Sequence, residues 1–201
     1  MMLKQITRFT LLPLLITAIT IFAYAQTDNL LLNPKANDGT NSWRALGNAE
    51  VEQSDDGDWR FVVRNRGRFV QDVQLPEDAA GKYALLIGRV SSERIDPDGV
   101  ITGLPYLYGH MVGGANPRGG RILSHLQGQE MLCRAGTVNE WVTAWGIFQV
   151  PDGTHAIRFF LNQAERKDVP QNGSAARFDD LGLYLFSTEG EAKAFAQAYK
   201  D

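Results

Sequence analysis

The stretch from Asn139 to Asn162, NEWVTAWGIFQVPDGTHAIRFFLN, limits most tightly what this chain can fold into. Val142, Ala144, Gly146 and Phe148 alternate with Thr143, Trp145, Ile147 and Gln149, and an alternation of period two is what a strand with two unlike faces requires. Pro151, Asp152 and Gly153 then supply a turn, since proline presets φ and glycine accepts positive φ, and a second alternating run starts at His155. The pattern predicts a hairpin. In its second strand Ile157, Phe159 and Leu161 face a core, while Arg158, Phe160 and Asn162 share the opposite face. Two such strands present a dry side and a side of aromatic, cationic and amide groups, which suits binding better than reaction.

The beginning of the chain bears on its compartment. Lys4 and Arg8 precede an apolar run from Phe9 to Phe22, and Ala23, Tyr24 and Ala25 form a small-x-small cleavage pattern. The apolar run is shorter than the roughly 20 residues a spanning helix needs. The expectation is a cleaved export leader at 1–25, a mature domain at 26–201 that does not insert into a membrane, and a secreted, extracellular location, which in a bacterium means the periplasm or the cell surface. Loss of Lys4 and Arg8 makes the formal charge of −3 more negative by two, and no basic run offsets it, which argues against a nucleic-acid partner. Cys133 is the sole cysteine, so the domain must be held together by its core without an internal disulfide. No histidine sits where it would activate that thiol, and Cys133 reads as a small hydrophobe.

The remainder reads as short strands and turns. Strands are expected at Asn29 to Leu32, Ala49 to Gln53, Trp59 to Arg64, Phe69 to Leu75 and Tyr83 to Val90, the last apolar on both faces except at Arg89. A further one, Leu104 to Met111, places Tyr106, Tyr108 and His110 on one side, and a final strand runs from Arg177 to Phe186. The Gly-rich segment 113–120 lacks the strand-loop-helix setting of a phosphate cradle. At the end, Thr188 and Glu191 form a capping box, and Ala192, Phe195, Ala196 and Tyr199 recur at helical spacing. A short amphipathic helix near 188–200 is expected to dock on its own domain. The fold class is therefore all-β, a two-sheet antiparallel sandwich of jelly-roll type with a short C-terminal α-helix.

The order of several short motifs resembles carbohydrate-binding modules of the family 4, 9 and 22 kind, which are galactose-binding-like jelly rolls. The motifs are Asn29-Leu-Leu-Leu-Asn-Pro34 followed by Asn37, Asp38, Gly39 and Trp43; Phe69-Val-Gln-Asp-Val73; Trp141 to Pro151; and Phe178-Asp-Asp-Leu181. The resemblance implies a non-catalytic domain whose partner is a polysaccharide or glycoconjugate. It also implies a structural calcium ion at Asp180, with Asp38 nearby, although Asn37 stands where the family commonly has glutamate and a charged ligand is lost. Trp43 and Trp141 match core positions. Trp145 shares a face with polar neighbours and is the candidate aromatic platform, with Gln71, Arg89, Tyr106, Tyr108, His110, Arg158 and Asn162 as candidate ligand-binding partners if their strands line one sheet. The competing reading of Trp145 is cover by the C-terminal helix. For the whole chain, the competing reading is an extracellular adhesion or structural sandwich that recognises a protein. An enzyme lacks the facing carboxylates, metal-spaced histidines or nucleophile elbow it would need.

Overall fold

Ten strands form two antiparallel sheets in the computed structural model, which describes residues 28–92, 104–114, 116, 118–131, 140–164 and 174–199. The expected leader and Cys133 lie outside those residues. The strands are β1 (Arg44–Leu46), β2 (Ala49–Gln53), β3 (Trp59–Val63), β4 (Arg68–Gln74), β5 (Tyr83–Ser92), β6 (Leu104–Gly113), β7 (Arg121–Leu126), β8 (Val142–Gln149), β9 (Thr154–Ala164) and β10 (Ala176–Phe186). The front sheet has the order β1-β4-β9-β6-β7 and the back sheet β2-β3-β10-β5-β8. Helix α1 (Glu189–Ala198) closes the chain. The all-β sandwich with one short C-terminal helix is thus the observed architecture.

The expected hairpin at 142–161 does not form. β8 pairs with β5 at the edge of the back sheet, whereas β9 lies in the middle of the front sheet between β4 and β6. Pro151, Asp152 and Gly153 turn the chain from one sheet to the other, with Gly153 at φ +79 and Thr154 donating from its amide and hydroxyl to the Pro151 carbonyl. A chain that crosses between sheets still points both of its apolar faces inward, so the alternation is the same for a hairpin and for a corner. The dry faces meet in the core: Phe61 and Val63 of β3, Leu86 of β5, Phe178 and Leu183 of β10 pack against Phe69 of β4, Leu107 and Met111 of β6, and Ile157, Phe159 and Leu161 of β9.

Asn29 to Leu32 is not a strand. Its backbone makes one ladder-like bond, from the Leu30 amide to the Leu183 carbonyl, and side-chain amides do the rest. Asn29 Nδ2 donates to the Leu181 carbonyl and its Oδ1 accepts from Leu183, while Gln71 donates to the Leu32 carbonyl and accepts from the Leu32 amide, both at 2.9 Å. The segment docks where β10 bulges: Asp179 pairs with Arg89 and Gly182 with Ile87, so one extra residue is accommodated, and Asp180 takes φ +44.

The helix forms as its sequence dictates. Thr188 accepts from the Glu191 amide and Glu191 returns a bond to the Thr188 amide, satisfying two donors that the first turn would leave open. Its apolar stripe, Ala192, Ala196 and Phe195 with Tyr199, covers Leu85, Ile87, Tyr184 and Phe186 on the outer face of the back sheet. No described helix lies on the outer face of the front sheet, although Val70 and Phe160 at its centre are buried.

Candidate functional site

Strand register arranges the outer face of the front sheet in rows that run across it. One row is Tyr106, Asn162, Arg68 and Leu46; the next is Tyr108, Phe160, Val70 and Arg44; the third is His125, His110, Arg158 and Asp72. Rows of cross-strand partners lie about 5 Å apart along the hydrogen-bonding direction, so their side chains touch. The rings gather towards β6 and β7 and the guanidinium groups towards β4 and β1.

The aromatic half is continuous. The Tyr106 and Tyr108 rings stack at 5.8 Å and 26°, Phe160 lies 5.5 Å from Tyr108, and His110 and His125 meet edge to face at 4.8 Å. The Tyr108 hydroxyl sits between the two imidazoles, 2.8 Å from His110 Nε2 and in hydrogen-bond contact with His125 Nδ1. A phenol can donate only once, so at least one of the two histidines donates to it. Desolvation raises the pKa of both tyrosines, keeping their hydroxyls protonated. His110 Nδ1 is buried without a hydrogen-bond partner. Burial first, then the charges of His125 and Arg158, hold the His110 pKa below its ordinary 6.5.

That depression has a consequence for stability. The unfolded chain takes up a proton on residue 110 near pH 6.5, whereas the folded chain resists it until lower pH, so stability present above 6.5 is lost as the pH falls below it. The urea midpoint is therefore expected to fall between pH 7.5 and roughly pH 5.5, and His110→Phe should flatten that fall. Equal slopes for the two proteins would show that His110 titrates alike in both states.

The cationic half is built on Asp72. Its carboxylate accepts from Arg158 Nε at 2.6 Å and from Arg44 at 3.3 Å. Asn116 and Arg118, which follow β6 in the chain, join Ser42, Arg44, Val70 and Asp72 around a groove of about 390 Å³. The Arg118 amide donates to Asn116 Oδ1, which holds the tip of the loop.

Of the expected ligand-binding residues, Tyr106, Tyr108, His110, Arg158 and Asn162 therefore lie on one face, and three do not. Gln71 is buried and its amide clasps Leu32, so it is a structural residue. Arg89 and Trp145 belong to the back sheet, on strands β5 and β8. There Trp145 and Ile147 pack against the cluster beneath α1, and Arg89 lies 5.8 Å above the half-buried Trp141 ring. Trp141 is thus not the core residue expected, whereas Trp43 is. Sequence reasoning missed Asp72, Arg44, Arg68, Arg118 and His125 as members of the face, and placed Phe160 on it without counting it among the ligand-binding candidates. Asp72 was within reach, since it alternates with core residues on its strand; Arg118 was not, because nothing in a Gly-rich loop tells where it lies.

No family model and no curated protein matches the chain. Solved structures do. The enzymatically active domain of tailspike protein 4 of bacteriophage CBA120 is similar at a TM-score of 0.55 and 12% identity, over 79% of this chain but 21% of the tailspike chain. The CBM22-1 xylan-binding domain of Paenibacillus barcinonensis Xyn10C is similar at a TM-score of 0.50 and 16% identity, over 81% of this chain and 97% of that one. A putative sugar-binding protein from Bacteroides thetaiotaomicron matches at 0.52 and 10% identity, over 79% of this chain and all of its own. The chain has the jelly-roll fold of carbohydrate-binding modules. At these identities the likeness is one of fold, and the tailspike is a much longer protein.

In this jelly roll the place expected for calcium is taken by other groups. Lys35 Nζ lies 2.6 Å from Asp180 Oδ1, and that carboxylate holds the ammonium pKa above its ordinary value. Carbonyls of the opening loop accept from side chains: Gly39 and Asn41 from Asn33 Nδ2, Leu32 and Asn33 from the Trp43 indole. Asp38 is held through its backbone amide by Asn33 Oδ1, and among the described residues no hydrogen bond or ion pair engages its carboxylate. No three His, Cys, Asp or Glu side chains converge to hold a metal among the described residues either. Calcium asks for six to eight oxygen ligands, so the residues as arranged do not fit it: Lys35 supplies the positive charge at Asp180. Melting curves with and without chelator are expected to coincide. A Tm that falls on chelation would mean that calcium displaces Lys35.

Proposed function

We propose that this protein binds a glycan on the outer face of its front sheet, as an exported and non-catalytic module. The carrying observation is the run of half-buried Tyr106, Tyr108 and His110, backed by the buried Phe160, beside Asn162 and Arg158 on the face opposite α1. Sugar rings present CH-rich faces that stack on aromatic planes, and their hydroxyl rims take bonds from amides and guanidinium groups. The fold shared with a xylan-binding domain and a putative sugar-binding protein supports the reading. Among the described strand residues of that face Asp72 carries the one carboxylate, and two arginines hold it. Glycoside hydrolysis needs two carboxyl groups across a cleft, which supports a binding role rather than a catalytic one. Export rests on the leader pattern at 1–25.

Affinity electrophoresis against a panel of soluble polysaccharides tests the proposal. The mature domain is expected to be retarded by at least one of them, and Tyr108→Ala should lose about 1–3 kcal/mol of binding, the range for removing an aromatic anchor, with little change in Tm. Retardation that is indifferent to Tyr108→Ala would move the site off this face.

A further inference from the structure

We infer that the glycan is acidic: the cationic half of the face is built to take the carboxylates of a uronate-bearing polysaccharide while the rings hold its sugars. This rests on the glycan-binding reading above. Four guanidinium groups, Arg44, Arg68, Arg118 and Arg158, stand on or over the face, where Asp72 carries the one carboxylate among the described strand residues. That carboxylate is already shared by Arg44 and Arg158, so it cannot neutralise the rest. Arg68 and Arg118 have no side-chain partner among the described residues. The surplus is local, because the chain as a whole has a formal charge of −3.

The chemistry of the groups decides the class of ligand. A guanidinium donates in five directions and accepts in none, whereas the hydroxyls of a neutral sugar need acceptors as much as donors. A neutral glycan over Arg68 and Arg118 would leave those charges unanswered and partly desolvated. A carboxylate is acceptor-only and fits the planar fork with two parallel bonds. The arrangement in rows gives the ligand its direction: Tyr106 and Tyr108 on β6 lie two strands, about 10 Å, from Arg68 and Val70 on β4, and Arg44 is one strand further. Rings stacked on the tyrosines therefore extend towards the arginines. Asn116 and Arg118 line the groove with Arg44 and Asp72.

The test is titration of the full mature domain with polygalacturonate, a neutral galactan, a neutral xylan and a sulfated galactan, at low and high salt. Polygalacturonate is expected to bind most tightly and to weaken steeply as salt rises, because charges at a rim are screened by ions. Arg118→Ala, a change on an exposed loop, should weaken it about tenfold and leave Tm unchanged. Neutral glycans that bind as well as polygalacturonate, with no salt dependence and no loss in Arg118→Ala, would overturn the acidic class while Tyr108→Ala still abolished binding and upheld the face. Preference for the sulfated galactan would overturn the carboxylate assignment. If none of the four binds and Tyr108→Ala changes nothing, both this inference and the glycan reading fall.

Discussion

Trp43→Ala should cost about 3–5 kcal/mol of folding stability, the range for emptying a buried tryptophan site. The side chain is 5% exposed, its ring lies 5.0 Å from Phe61 and 6.1 Å from Phe159, and it joins β3 of the back sheet to β9 of the front sheet. Its indole N–H donates to the carbonyls of Leu32 and Asn33, both at 3.1 Å, so the same residue closes the opening loop. Truncation leaves a cavity and takes one of two donors from each carbonyl, since Leu32 keeps Gln71 and Asn33 keeps the Ala36 amide. Trp43→Phe separates the two effects, because it keeps most of the packing and removes the indole donor, and it should cost about 0.5–1.5 kcal/mol. Urea denaturation measures both. A midpoint for Trp43→Ala within error of the parent would show that the loop and the inter-sheet seam hold without the indole.

The residues that could be read from the sequence were those whose position depends on one strand at a time. Tyr106, Tyr108 and His110 on one side of β6, and Arg158, Phe160 and Asn162 on one side of β9, follow from period two alone, and both sets do face outward on the front sheet. The helix was legible for a like reason, since a capping box and an apolar stripe are local signals. What period two cannot tell is which sheet a strand joins. β8 alternates as well as β9 does, yet its outward residue Trp145 points from the opposite side of the sandwich, and Arg89 goes with it. Gln71 shows a second limit. It faces the core side of β4, where an amide is costly unless paired, and its partner is the backbone of Leu32, 39 residues away, in a segment that reads as a strand but is held by side chains. β7 was invisible because Arg121, Ile122, Leu123, Ser124, His125 and Leu126 do not alternate; a bulge between Met111 and Val112 shifts its register, so His125 reaches the face out of step.

Trp145 offers the sharpest contrast with the proposed binding face. The indole stood out in the sequence as an exposed aromatic, but in the structure it fills the seam between β8 and α1, beside Ile87 and among Ile147, Phe195 and Tyr199. Those groups, with Ala192 and Ala196, form a second apolar cluster separate from the main core, and the helix covers it. Ten residues of helix are marginal in isolation, so α1 depends on this packing and on the Tyr199 hydroxyl, which donates to the Asp180 carbonyl at the bulge of β10. Trp145→Ala is expected to lower stability by about 2–3 kcal/mol, less than a fully buried tryptophan would because the side chain is only partly buried. Loss of helical circular dichroism should accompany the fall, since α1 loses part of its platform. Glycan binding by the folded fraction should stay at the parent level, because the front face lies across the sandwich. Tyr108→Ala should show the reverse, with binding lost and the melting curve kept. If Trp145→Ala instead abolished binding in a protein whose Tm and helical signal matched the parent, the ligand would sit on the back sheet and the front-face assignment would be wrong.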